Sequence, residues 1–176
     1  VRKGETERKT RRSLEAYLQE GAKVASSSEI DFIWKSLGSN DRGIRHAARV
    51  ALEQQPAKAW KDRLTAEANP VTLTAAMIAL ARVDGEGSAS EIIAKATSLD
   101  YSKTKSRQTR LDILRSVTLS LTRGGQPNES DRAKLIKWLD GIYPARTPDE
   151  NRDLSAMAAF VKAPFAVERG MKLLTN

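Results

Sequence analysis

His46 is the single histidine of the chain, and it stands among Arg42, Arg45 and Arg49 in the stretch DRGIRHAARVALEQQP, residues 41–56. Imidazole titrates near neutral pH and guanidinium forks match oxyanions, so this grouping has the residue types of a proton-transfer site or a phosphate grip. The pattern stops short of either. One histidine cannot build a histidine-rich metal centre, and no base–nucleophile constellation accompanies it. On a helical wheel His46 lies about 200° from Ile44, on the polar side. Asp31, Asp62, Asp112, Asp140 and Asp149 are scattered singly, without the spacing of a calcium loop. Gly85-Glu86-Gly87 and Gly124-Gly125 are too short for a dinucleotide or phosphate loop and follow helical stretches, which makes them helix-ending turns. With no cysteine, disulfides, thiolate nucleophiles, cysteine-ligated zinc and covalent haem attachment are excluded within this chain. The expectation is a chain that is not an enzyme by itself and needs no cofactor or metal.

The elements that carry these residues read as helices. Ile44, Ala47, Ala48, Ala51 and Leu52 fall at i, i+3, i+4, i+7 and i+8, one face of an α-helix. The spacing returns as Leu73, Ala76, Met77, Leu80 and Ala81, and in shorter form as Leu14, Tyr17, Leu18, as Leu114, Val117, Leu121, and as Leu154, Met157, Ala158, Val161. The leading positions 14, 44, 73, 114 and 154 are separated by 30, 29, 41 and 40 residues, an irregular repeat. Between them lie bulkier helices, marked by Ile30, Ile33, Trp34 and Leu37, by Trp60 and Leu64, by Ile92, Ala96 and Leu99, and by Leu135, Leu139 and Ile142. All three tryptophans, Trp34, Trp60 and Trp138, belong to this second set and are expected in the core. The count is about ten helices.

Start and stop signals agree. Ser26–Glu29, Ser88–Glu91 and Thr147–Glu150 fit the capping box, in which a hydroxyl and a carboxylate each satisfy an orphan backbone N–H. Asp41 is an N-cap, and Asn69-Pro70 and Thr147-Pro148 place proline where its missing N–H costs least. Gly38-Ser39-Asn40, Tyr143-Pro144 and Ala163-Pro164 are breaks. Aromatic residues are 5% of the chain and β-branched runs are scarce, which favours helix over strand. No stretch approaches the roughly 20 apolar residues of a membrane helix, so no membrane insertion is expected.

Alternation of small-residue helices with bulky ones predicts hairpins stacked side by side, an all-α, right-handed α-solenoid of antiparallel helix pairs in one domain over residues 1–176. Residues 28–54 are similar to a HEAT unit, with a first helix through Leu37, the turn Gly38–Asn40, Asp41, the pair Ile44-Arg45, the doublet Ala47-Ala48, and Leu52. In such a unit an arginine at position 45 is expected to bond the turn carboxylate of Asp41 or its neighbour. Beyond that unit, Arg11-Arg12-Ser13-Leu14-Glu15-Ala16-Tyr17, Leu37 through Glu53, Tyr143-Pro144-Ala145 and Asn151-Arg152-Asp153-Leu154 resemble the helical-repeat region of large exported proteins of planctomycete-type bacteria. In that family a sorbosone-dehydrogenase-like β-propeller precedes the repeats and a c-type haem segment follows. Leu18 stands where that family carries a histidine, so the histidine's role does not transfer. The resemblance implies a docking or connecting module of an envelope redox protein, periplasmic or exported. The chain begins at Val1, which suits a piece of something longer.

The function expected is a non-catalytic repeat scaffold that binds another protein or neighbouring domains. Its working side would be made by the second helix of each pair, with Arg45, His46, Arg49, Thr72, Gln108, Asp112 and Arg152 as candidate contacts. A formal charge of +8 keeps a second reading open. Arg2, Lys3, Arg8, Lys9, Arg11 and Arg12, with the segment Lys103–Arg115, would hold nucleic-acid phosphates in a steeply salt-dependent way. A third and minor reading, base-excision-like chemistry, would need Asp62 or Asp140 in a groove beside Trp60 or Trp138.

Overall fold

Alanine, leucine and arginine at helical spacing have little alternative to helix, and the computed structural model, which describes residues 4–18 and 23–175, is helical throughout its regular elements. Among the described residues there are ten α-helices and two 3₁₀ turns, and no helix is long and apolar enough to cross a membrane. Arg2 and Lys3 of the basic N-terminal group lie outside the described residues. The chain divides into two compact units, Val1–Asp84 and Gly85–Asn176.

The first unit holds α1 (Glu5–Glu15), α2 (Ser27–Leu37), α3 (Arg42–Glu53), the single-turn α4 (Arg63–Ala66) and α5 (Pro70–Val83). The capping box at Ser26 forms: its hydroxyl accepts from the Glu29 N–H, and the Glu29 carboxylate accepts from the Ser26 N–H at 2.8 Å. Asp41 caps α3 through the Ile44 N–H at 2.9 Å, and the Asn69 side chain caps α5 with Pro70 at its first position. The predicted inner face of α3 is buried residue for residue, with Ile44, Ala47, Ala48, Ala51 and Leu52 against its neighbours α1, α2 and α5. Its alanines allow that close approach. α5 goes further than predicted. Thr72, Leu73 and Thr74, then Ala76 through Ala81, are all buried, so it is apolar around most of its circumference rather than on one face.

Two expectations fail in this unit. The helix expected around Trp60 and Leu64 is a 3₁₀ turn at Ala57–Ala59 followed by the one turn of α4, because the segment closes through i→i−3 bonds, from the N–H groups of Trp60, Arg63 and Leu64 to the carbonyls of Ala57, Trp60 and Lys61, which tighten it into separate turns. Trp60 and Leu64 are buried all the same, the indole donating to the Gln55 carbonyl at 3.4 Å. Likewise the end of the first helix tightens into a 3₁₀ turn at Ala16–Leu18, so of Leu14, Tyr17 and Leu18 only Leu14 is buried.

In the second unit are α6 (Ala89–Ser98), α7 (Arg107–Gly124), α8 (Glu129–Ile142), α9 (Pro148–Phe160) and α10 (Ala166–Leu174). α6 packs on α7 and α8, α7 on α9, and α9 on α10. Ser106 and Asn128 cap α7 and α8 through the N–H groups of Thr109 and Asp131. The capping boxes expected at Ser88 and Thr147 do not form. Ser88 makes no side-chain cap, and the Thr147 hydroxyl faces the carboxylates of Asp149 and Glu150 instead of a backbone N–H. Gly124 lets α7 end against α6: a Cβ there would meet the Ala89 methyl at 2.8 Å and the Gly85 carbonyl oxygen at 3.0 Å.

One device occurs in both units. Arg45, the fourth residue of α3, donates to the carbonyls of Ser39 and Asn40 at 2.7 and 3.0 Å. Arg110, the fourth residue of α7, donates to those of Thr104 and Lys105 at 2.8 and 3.2 Å. Each guanidinium thus ties its helix to the turn five and six residues back. The partners are main-chain carbonyls, not the turn carboxylate expected for Arg45, because Asp41 is already committed to its cap.

Candidate functional site

α7 is amphipathic with a wide inner face: Thr109, Ile113, Leu114, Ser116, Val117, Ser120 and Leu121 are buried. The other side presents a stripe at helical spacing, Gln108, Leu111, Asp112, Arg115, Thr118 and Leu119. From α9 come Asp149, Arg152 and Asp153, at i, i+3 and i+4. Together they line an open groove of about 330 Å³. Three of the candidates predicted from sequence, Gln108, Asp112 and Arg152, therefore meet along one hollow within the second unit.

Charges in the groove alternate. The Gln108 amide donates to Asp112 at 3.0 Å, Arg107 pairs with Asp149 at one end, and Arg152 lies beside Asp153 at 3.3 Å with 76% of its side chain exposed. Arg115 is exposed, while Leu111 and Leu119 are half-buried between the charged residues. Asp149 is held below the ordinary carboxylate range, chiefly by the Thr147 hydroxyl and further by the charge of Arg107. Such a surface can bind a chain segment by paired charges and apolar contact. It contains no nucleophile next to a base.

Beneath the start of α9 is a cluster that the sequence did not reveal. Glu150 is wholly buried, and its Oε1 accepts from the Tyr101 hydroxyl at 2.8 Å and from Arg110 Nε at 2.5 Å, while Thr147 bonds Oε2 at 2.5 Å. Burial by itself would raise the Glu150 pKa, but the hydrogen bonds from Arg110, Thr147 and Tyr101 outweigh it and hold the carboxyl low. Tyr101 is pushed well up, first by burial and then by its bond to Glu150. The cluster is a satisfied buried ion pair that fixes the start of α9 to α7, and so sets the width of the groove. Glu150 lies 40 residues from Arg110, and the Thr147–Glu150 pattern disguised it as a capping carboxylate; no local spacing points to the pairing.

The other sequence candidates lie in the first unit. His46 is exposed, with Nδ1 3.4 Å from Arg49 Nη2. Arg49 pairs with Glu53, which also accepts from Arg82 Nε at 2.9 Å and so joins α3 to α5. Thr72 is buried, its hydroxyl oxygen 2.7 Å from where a Cβ on Gly38 would stand, and it presents nothing to the surface. Of the aspartates considered for base chemistry, Asp62 has no open tryptophan beside it, since Trp60 is 1% exposed, and Asp140 pairs with Arg169 and does not line the hollow beside Trp138. Among the described residues no three histidine, aspartate or glutamate side chains cluster as a metal site would. Of the basic segment Lys103–Arg115, Lys103 pairs with Asp100, Arg107 with Asp149 and Arg110 with Glu150.

Comparison of the chain with protein-family models finds no match, and comparison with curated proteins and with solved structures finds none either.

Proposed function

We propose that this chain is a non-catalytic interaction scaffold, a HEAT-like α-solenoid of antiparallel helix pairs, whose groove between α7 and α9 docks a protein segment. The observation that carries the reading is the convergence of Gln108, Asp112, Arg115, Arg152 and Asp153 on one hollow with Leu111 and Leu119 between them. The occupant this composition fits is a segment of another protein, or of a neighbouring domain, that carries charges of both signs around an apolar side chain. Complementary charges of that kind give register and specificity more than raw affinity. The arginine tie repeated at Arg45 and Arg110 supports a common repeat unit. The resemblance to the repeat region of exported dehydrogenase–cytochrome proteins supplies a context, an envelope redox protein in which the module joins domains and holds no cofactor of its own.

Peptides selected from a random library on the immobilised chain test this. Binding should fall at least about tenfold in Arg152→Glu and in Asp112→Lys, a change near 1.4 kcal/mol, and stay unchanged in His46→Ala. Selected peptides that bind both variants as tightly as the parent would overturn the groove. A nucleic-acid scaffold is the alternative; the pairing of Lys103, Arg107 and Arg110 with carboxylates weighs against it. Fluorescence anisotropy with single- and double-stranded oligonucleotides at low salt should show no tight binding. Tight association that collapses steeply with added salt would establish the alternative.

A further inference from the structure

The three tryptophans are not equivalent. Trp34 donates its indole N–H to Glu67 at 2.8 Å and Trp60 to the Gln55 carbonyl. Trp138 Nε1 is buried with no acceptor, the single such side-chain atom among the described residues, although the ring itself is only half-buried. A buried donor left unpaired forfeits its hydration without recovering a bond, so it calls for an explanation. The ring borders a cleft of the second unit. One hollow of about 430 Å³ is lined by Leu99, Tyr101, Lys137, Trp138 and Ile142, among others. An adjoining one of about 140 Å³ reaches Arg146 and Glu150, and the two share Tyr101, Ser102, Gly141 and Ile142. None of these residues lines the α7–α9 groove.

Two features define what fits. One wall is apolar and aromatic, made by Leu99, Tyr101, Trp138 and Ile142, with Tyr101 set edge-on to Trp138 at 5.9 Å between ring centroids; Thr97, Asp100 and Ser102 are polar neighbours. The rim is basic: Lys134 and Lys103 are neutralised by Asp131 and Asp100, whereas Lys137 and Arg146 are exposed and in no ion pair among the described residues. Glu150 at the inner end is already bonded by Arg110, Tyr101 and Thr147 and offers little to a cation. We infer that this cleft is a second binding site, for a peptide segment that inserts an aromatic side chain against Trp138 and carries acidic residues on either side to meet Lys137 and Arg146. Rotation of the Trp138 ring toward a peptide carbonyl would recover the missing hydrogen bond. The site goes beyond the proposed groove and does not depend on it.

The test uses an acetylated peptide amide with one phenylalanine flanked by two glutamates on each side, titrated into ¹⁵N-labelled chain. The three tryptophans give three indole N–H signals, and that of Trp138 is identified by its loss in Trp138→Phe. Saturable movement of that signal, with the other two unmoved, is expected. Replacing the phenylalanine by alanine, or the glutamates by lysines, should abolish it. Lys137→Glu with Arg146→Glu should weaken binding about tenfold. Gly141→Leu should block it, since a Cβ there meets nothing within 4 Å and the added side chain enters the shared part of the cleft without disturbing the fold. Its unchanged thermal melt separates blockage from unfolding. No movement of the Trp138 signal at millimolar peptide, equal binding of the lysine peptide, or undiminished binding to folded Gly141→Leu would each overturn the inference. Arg152→Glu should leave this titration unaltered, so failure of the groove and failure of the cleft are told apart.

Discussion

Glu150 is the residue on which the second unit turns. Its side chain is 1% exposed and that of its partner Arg110 is 12% exposed, so removing one charge strands the other. Glu150→Gln should lower unfolding stability by about 3 kcal/mol, read from urea melts, whereas Glu150→Leu combined with Arg110→Met should lose less than either single change. Equal stability of parent and Glu150→Gln would contradict this role. The pH dependence follows in sign. Glu150, Asp149 and Asp131 all have folded-state pKa values below their ordinary ones; for Asp131 burial works against the shift, but bonds from Ser90, Lys134 and Asn128 prevail. A depressed carboxylate contributes stability above the unfolded pKa, about 4, and loses it as pH falls through the folded value. The urea midpoint should therefore hold from pH 7 to about 5 and then decline, less steeply in Glu150→Gln. A midpoint flat down to pH 3 would refute it. Glu29, lowered to about 2 by Lys23 and Ser26, is half-buried but pairs with an exposed, solvent-screened Lys23 and should add little.

Between helices, contact distance decides what sequence spacing could not. Gly38, after α2, lies under Thr72 of α5, and a Cβ there would stand 2.7 Å from the threonine oxygen and 3.3 Å from the Asn69 amide. Gly38→Ala should cost about 1–3 kcal/mol by overpacking, and Thr72→Ala in the same chain should recover part of it. Strict additivity of the two changes in urea melts would disprove the contact. The ties at Arg45 and Arg110 need a fork that reaches two carbonyls, so Arg45→Lys should lose about 1 kcal/mol even though charge is kept. An unchanged melt would show the tie to be idle. These elements also mark how far the sequence could be read. Helical periodicity located α2, α3, α5, α7 and α9, and chemistry at Ser26, Asp41 and Asn69 located the starts of α2, α3 and α5, because both are local. Thr72 was misplaced on a surface because its concealment comes from Gly38, 34 residues earlier. Trp138 was read as core from its register, but the loop at Asp100–Lys105 leaves its ring half covered. Around Trp60, i→i−3 bonding breaks into short turns a helix that periodicity alone extends.

For the molecule as a whole, the net charge of +8 already counts every carboxylate, so ion pairing decides where the open cations lie and not how large the surplus is. Three of the bases between Lys103 and Arg115 are tied to carboxylates, while Arg8, Lys9 and Arg12 remain on the exposed side of α1. What stands open in the second unit is a mixed-charge groove with an apolar floor, a surface suited to a protein segment rather than to a row of phosphates. Gln108, Asp112 and Arg152 are legible in the sequence as polar residues on helices; Arg115, Asp149 and Asp153 join them only once α7 and α9 lie side by side. The most direct measurement is amide shift mapping with ¹⁵N-labelled chain and a library-selected peptide. Shifts should concentrate at residues 108–119 and 149–153 and need at least about tenfold more peptide in Arg152→Glu. Shifts scattered elsewhere, or saturating at the same peptide concentration in that variant, would contradict the scaffold reading.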